Sequence, residues 1–145
     1  METQRFDGAE KLHSALELRR YKPSDFDQMI RNQRNAGLPG IMTSRFLEAR
    51  IINDPDSTLV AVIGCEVIAS LYLHAETDAR ISSLVVKSNY RLMGVGKRLL
   101  CEAERILKEK GYLVVCLKPS DTSIGFYKKL RYVPIERSED MSKQL

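Results

Sequence analysis

The hydrophobic positions of this 145-residue chain change period several times, and each change marks an element. Leu16, Leu18 and the nearby Tyr21 predict a short alternating strand. Pro23-Ser24-Asp25 forms a turn that can cap a helix in which Phe26, Met29 and Ile30 recur at helical spacing. Gly37-Leu38-Pro39-Gly40 breaks that helix, and Ser44 to Ile52 predicts a second one with Phe46, Leu47, Ile51 and Ile52 as its apolar face. Thr58 to Ile63 and Val67 to Leu73 are strand-like runs around a tight Gly64-Cys65-Glu66 turn. A further strand, Ala79 to Lys87, carries Ile81 and the unbroken triplet Leu84-Val85-Val86, which predicts burial on both faces and a central place in the sheet. Val95, Leu99, Leu100, Ala103, Ile106 and Leu107 mark one face of a helix running to about Lys110, with Gly111 as its C-terminal cap. Leu113 to Leu117 predicts another buried strand, Thr122 to Leu130 a short helix, and Tyr132 to Leu145 two short edge strands. The order gives a mixed α/β (α+β) layout, with helices covering a mostly antiparallel sheet. Residues 1–13 read as a flexible tail and 14–145 as a single domain.

Composition narrows the chemistry. The net charge of +4 is mild, and no dense basic stripe with interleaved aromatics is present, so nucleic acid is not an expected partner. The three cysteines (Cys65, Cys101, Cys116) form no CxxC pair, and the two histidines (His13, His74) lie far apart, so neither a disulfide framework nor a metal is expected. Cys116 in a strand reads as an inert small hydrophobe rather than an acyl carrier. The charged N-terminus is unlike a signal peptide, and no run reaches membrane-spanning length, so the expected location is cytoplasmic and no membrane partner is expected.

One stretch carries candidate chemistry. In Ser88-Asn89-Tyr90-Arg91-Leu92-Met93-Gly94-Val95-Gly96-Lys97-Arg98, two glycines stand between an apolar strand and an amphipathic helix. A helix N-terminus offers unpartnered N–H groups and a positive dipole end, glycines admit an anion to the backbone, and Arg91, Lys97 and Arg98 add charge at the same mouth. Clearance for tight helix–sheet packing is the alternative reading of the same spacing. A P-loop and a dinucleotide fingerprint both require glycine spacings this stretch lacks.

Arg91 to Gly96 resembles the loop of the GNAT N-acetyltransferases, in which Gln or Arg is followed by two free positions, Gly, one free position, and Gly or Ala. The preceding LVVKSNY is similar to that family's fourth strand, and GFYKKLRYVPI (Gly125 to Ile135) to its late helix, with Arg131 where the family has glycine. The late segment is most similar to the glucosamine-6-phosphate N-acetyltransferases, although Ser82 and Ser83 stand where those enzymes carry an acidic pair. The resemblance implies a GNAT-type sheet splayed between strands 4 and 5, and acetyl transfer from acetyl-CoA to a small-molecule or peptide amine by direct attack. It implies CoA contacts at Leu84, Val85, Val86, Arg91, Leu92, Met93, Gly94, Val95, Gly96, Lys97, Ser123 and Phe126, with Tyr127 protonating the departing sulfur. Glu76, just upstream of the fourth strand, is the expected base, with Asp78 and His74 as alternatives. The segment from Gly37 to Asn53 and the loop from Glu76 to Arg80 are the expected acceptor-side walls. Two further readings stay open: a non-catalytic acyl-CoA-binding module and an amino-sugar phosphate acetyltransferase. The resemblance is compatible with a homodimer, though no residue argues for one.

Overall fold

The computed structural model describes residues 10–38 and 43–145; the N-terminal part of the expected tail and Pro39 to Met42 of the expected acceptor wall lie outside the described residues. Residues 10–15 are helical (α1). The expected tail is therefore corrected over 10–13: Leu12 is buried against the main core and ties α1 down. There follow β1 (Leu16–Arg20), a 3-10 turn (Pro23–Asp25), α2 (Phe26–Asn35), α3 (Ser44–Asn53), β2 (Thr58–Ile63), β3 (Glu66–Ala75) and β4 (Ala79–Val86). A 3-10 turn (Ser88–Tyr90) leads to α4 (Val95–Glu109), then β5 (Val114–Leu117), α5 (Ile124–Lys129), β6 (Val133–Pro134) and β7 (Met141–Gln144).

One seven-stranded sheet runs in the order β1-β2-β3-β4-β5-β7-β6. Every pairing is antiparallel except β4 with β5. The late strands are corrected in one respect: β7 lies between β5 and β6, so only β6 is an edge. The polar sequence Met-Ser-Lys-Gln gives little hydrophobic signal of that placement.

The layers follow from alternation along the strands. On one face Val60, Val62, Val67 and Tyr72 pack with Met29 of α2 and Leu47 of α3. On the other, Leu59, Ala61, Leu71, Leu73 and Ile81 pack with Leu99, Leu100, Ala103 and Leu107 of α4, and with Tyr127 and Tyr132. The strands buried on both faces are thus β2 and β3. β4 is central, as expected, but it is not buried on both faces: Val85 is buried while Leu84 and Val86 are half-buried. β5 likewise alternates, with Leu113 just before it and Val114 exposed.

Local chemistry fixes the joints. Asp25 accepts two hydrogen bonds from Arg19, at 2.7 and 2.9 Å, and one from the Lys22 N–H at 2.8 Å. This locks the turn into α2 against β1. Thr43 caps α3 by accepting from the Phe46 N–H at 3.1 Å. At the end of α5 the Tyr132 N–H reaches the Tyr127 carbonyl at 3.0 Å, and Arg131 between them has φ 74°. This is the left-handed helix stop that favours glycine. It explains why the related late-helix pattern has glycine where this chain has arginine.

Candidate active site

Three features of β4 open the sheet. Its parallel pairing with β5 covers only Ala79↔Val115, Arg80↔Cys116 and Ile81↔Leu117. The register with β3 then shifts between Ser70 and Tyr72. Ser83, at the same level, takes φ 53°, a bulge that re-aims the residues after it. Beyond Ile81 the strand keeps β3 on one side and borders a cleft on the other.

That cleft has a volume of about 540 Å³. Leu84, Val85 and Val86 of β4 line it, with Arg91, Leu92, Gly94, Val95, Gly96 and Lys97 at one end and Ser123, Phe126 and Tyr127 of the α5 region opposite. The cofactor residues expected from sequence therefore meet in one place, with the exception of Met93. Met93 packs on the core, and its carbonyl lies 2.7 Å from Nε2 of His13. Arg98 also departs from expectation: its guanidinium turns away from the mouth and donates to His13. Tyr90, Ser120, Thr122, Ala36 and Leu38 line the cleft as well. Tyr90 lies inside the glycine-bearing stretch and Leu38 inside the expected acceptor-side wall, but no pattern marks Ser120, Thr122 or Ala36 as cleft residues.

The two glycines serve different ends. Gly94 is the N-cap of α4 with φ 82°, a conformation that L-residues adopt at a cost. With no cap side chain there, the first-turn N–H groups have no intrahelical acceptor and face the cleft end of the helix. Gly96 is helical; a Cβ there would stand 3.4 Å from Val86 Cγ2, 3.6 Å from Phe126 Cζ and 4.0 Å from Leu84 Cδ2. Gly96 thus holds open a gap between three residues that line the cleft. Glu66 anchors the turn before this loop by accepting from Lys87 Nζ and Tyr90 OH, each at 2.8 Å.

Tyr127 is buried and its ring meets Phe126 and Tyr132 edge to face, at 5.0 and 5.6 Å between centroids. Burial pushes its phenol up to about 12. At neutral pH it keeps its proton and is available as a hydrogen-bond donor. Beyond it, Tyr132 OH donates to Glu104 at 2.7 Å, and Lys143 donates to the same carboxylate. These contacts fix the aromatic group between α4 and β7.

Glu76, expected as the base, is exposed in the β3–β4 loop, and its carbonyl accepts from Tyr112 OH at 3.0 Å; Glu76, His74 and Ser82 all stand outside the cleft lining itself. His74 is better connected: Nε2 lies 3.0 Å from Oγ of Ser82, the first β4 residue beyond the pairing with β5. His74 is exposed as a residue, yet desolvation by the surrounding protein, aided by the Arg50 and Arg80 guanidiniums and opposed by Glu76, holds the imidazole below its ordinary range. Arg80 itself donates twice to Asp140, at 3.0 Å each. Among the described residues no group of three or more His, Cys, Asp or Glu is gathered to hold a metal, and no helix is long and apolar enough to cross a membrane.

The sheet thus splays at its one parallel pair, with a glycine-capped helix at the mouth of the split. The chain belongs to the acetyltransferase (GNAT) family, whose sequence profile matches residues 16–132. Its fold is similar to that of Ard1 from Thermoplasma volcanium, at 23% identity, TM-score 0.76, covering 90% of this chain and 98% of that one. It is also similar to PaiA N-acetyltransferase from Thermoplasma acidophilum in complex with coenzyme A, at 23% identity, TM-score 0.72, covering 90% and 99%. A third similar fold is glucosamine-6-phosphate N-acetyltransferase from Arabidopsis thaliana, at 20% identity, TM-score 0.67, covering 85% and 95%.

Proposed function

We propose that this protein moves acetyl from acetyl-CoA to a primary amine by direct attack in a ternary complex. The observation that carries the reading is the single cleft joining the unpaired edge of β4, the glycine-capped start of α4 and Tyr127. Each part suits one portion of an acyl-CoA. The N–H groups at the start of α4, with Arg91 and Lys97, suit a pyrophosphate. The free edge at Leu84 to Val86 suits an amide chain that pairs like an added strand. An N–H at Val85 or Val86 then polarises the thioester carbonyl. The amine adds to that carbonyl carbon, the C–S bond breaks, and the departing sulfur takes a hydrogen bond and a proton from Tyr127.

The amine must first lose a proton. We assign this to His74 acting through Ser82, in place of Glu76, because the imidazole is held in its neutral form and reaches β4 where the strand opens. The acceptor is a small-molecule or peptide amine. A second reading, an acyl-CoA-binding module without turnover, draws on the lack of any acid from Arg80 to Ser83.

Thiol release from acetyl-CoA, measured across amino-sugar phosphates, amino acids and peptide amines, tests the proposal. Turnover is expected with at least one class, and Tyr127→Phe should lower kcat about 10- to 10⁴-fold with CoA affinity retained. CoA binding without release across the panel would favour the binding module, and an unchanged Tyr127→Phe rate would remove the phenol from the mechanism.

A further inference from the structure

His13 sits on α1, behind the glycine-bearing turn and eighty residues away from it in sequence. Its two ring nitrogens have opposite partners. The Met93 carbonyl, 2.7 Å from Nε2, can only accept a hydrogen bond. The Arg98 guanidinium, 3.2 Å from Nδ1, can only donate one. Together they specify one neutral tautomer, with the proton on Nε2 and a bare Nδ1. Arg98 also donates to the His13 carbonyl at 2.9 Å, which ties the backbone of α1 to α4. The ring lies against Gly94: an ideal Cβ on that glycine would stand 3.4 Å from Nε2 and 3.5 Å from Cε1.

This grip has a directional consequence. The peptide joining Met93 to Gly94 is planar and trans, so its C=O and N–H point opposite ways. With the Met93 carbonyl held toward His13, the Gly94 N–H is turned away from His13, and Gly94 itself borders the cleft. Gly94, at φ 82°, has no side chain to restrict its backbone and would otherwise sample several orientations.

We propose that His13 is a positioning residue for anion binding: it clamps the Met93–Gly94 peptide so that the Gly94 N–H is preset toward the cofactor phosphates. Arg98 serves the same clamp by fixing the imidazole tautomer, instead of contributing its charge to the anion. The inference rests on the reading of this turn as the pyrophosphate seat.

Two variants separate donor from packing. His13→Phe keeps a ring against Gly94 and removes both hydrogen bonds. His13→Gln keeps an N–H donor near the position of Nε2. Calorimetry with CoA and steady-state kinetics with acetyl-CoA are run on the full chain. We expect His13→Phe to weaken CoA binding about five- to tenfold and to raise the acetyl-CoA KM in step while kcat holds. His13→Gln should recover binding to within about twofold of the parent. Amide exchange across residues 91–96 in the CoA-free protein should quicken in His13→Phe and not in His13→Gln. Unchanged CoA affinity in His13→Phe, or an equal loss in both variants, would overturn the clamp while leaving the pyrophosphate seat intact. No CoA binding by the parent chain would overturn the seat and the clamp with it.

Discussion

Replacing each glycine of the turn by alanine should move stability in different directions, although the two stand only two residues apart. At Gly94 the backbone is left-handed, and an L-residue pays about 1–2 kcal/mol there. The new methyl would also meet His13 at 3.4 Å, at the short end of ordinary contact. For a chain of this size about 1–2 kcal/mol lowers Tm by roughly 3–6 °C. At Gly96 the backbone is helical, and alanine gains up to about 1 kcal/mol of helix propensity. Its methyl would find Val86, Phe126 and Leu84 at 3.4 to 4.0 Å, close but without overlap. Gly96→Ala should therefore melt at or slightly above the parent temperature. CoA affinity should fall for both, at Gly96 because the methyl enters the cleft wall. Thermal and urea denaturation without ligand, paired with calorimetric CoA titration, reads the two quantities separately. Gly94→Ala melting as high as the parent, or Gly96→Ala being the more destabilised of the two, would refute the division of roles.

Other consequences are equally direct. The acid limb of kcat/KM should lie below the ordinary histidine value of about 6.5, because burial, and then Arg50 from α3 and Arg80 from β4, lower His74 against the opposing Glu76; His74→Gln should abolish that limb in a pH–rate profile. Burial raises the Asp25 carboxyl, but hydrogen bonds from Arg19 and the Lys22 N–H outweigh it, so its pKa is depressed in the fold. Its contribution is therefore complete above about pH 4 and lost as pH falls further, and Asp25→Asn should cost about 2 kcal/mol at neutral pH and flatten the acid side of a stability-versus-pH curve. Arg131→Gly should stabilise the chain by about 1 kcal/mol in urea denaturation by relieving the φ of 74° at the end of α5.

Much of this was legible in the order of residues. Near-continuous apolar runs at Thr58 to Ile63 and Val67 to Leu73, and the 3.6 period from Val95, give β2, β3 and α4 nearly to the residue, because burial on both faces of a strand or on one face of a helix leaves a clear trace. The triplet Leu84-Val85-Val86 shows where that trace becomes ambiguous. Apolar residues facing a cleft look the same in sequence as apolar residues facing protein, so β4 reads as fully buried when one face borders open space. The placement of β7 is unreadable because three of its four residues are polar and its β5 partner lies beyond α5 and β6 in the chain. His13 was missed because a single histidine in a polar segment carries no periodic signal, and the carbonyl it meets lies eighty positions away. Residue type and proximity to β4 favour Glu76 in sequence; the contact between His74 and Ser82 on which the proposal of His74 draws is visible only in the structure.

The brevity of the β4–β5 join bears on how the molecule behaves in a crowded solution. Beyond Ile81 β4 has no β5 neighbour, and from Leu84 to Val86 it borders a cleft, which makes an interior strand act as a sheet edge. Such edges invite pairing with other chains, and the apolar sequence Leu84-Val85-Val86 is the kind that aggregates. The left-handed kink at Ser83 and the proximity of α4 blunt that tendency by leaving no flat run to template upon. A ligand that occupies the edge would then act as a molecular shield: saturating CoA should slow aggregation on gentle heating by more than its effect on melting alone, because it covers the same strand that self-association would use.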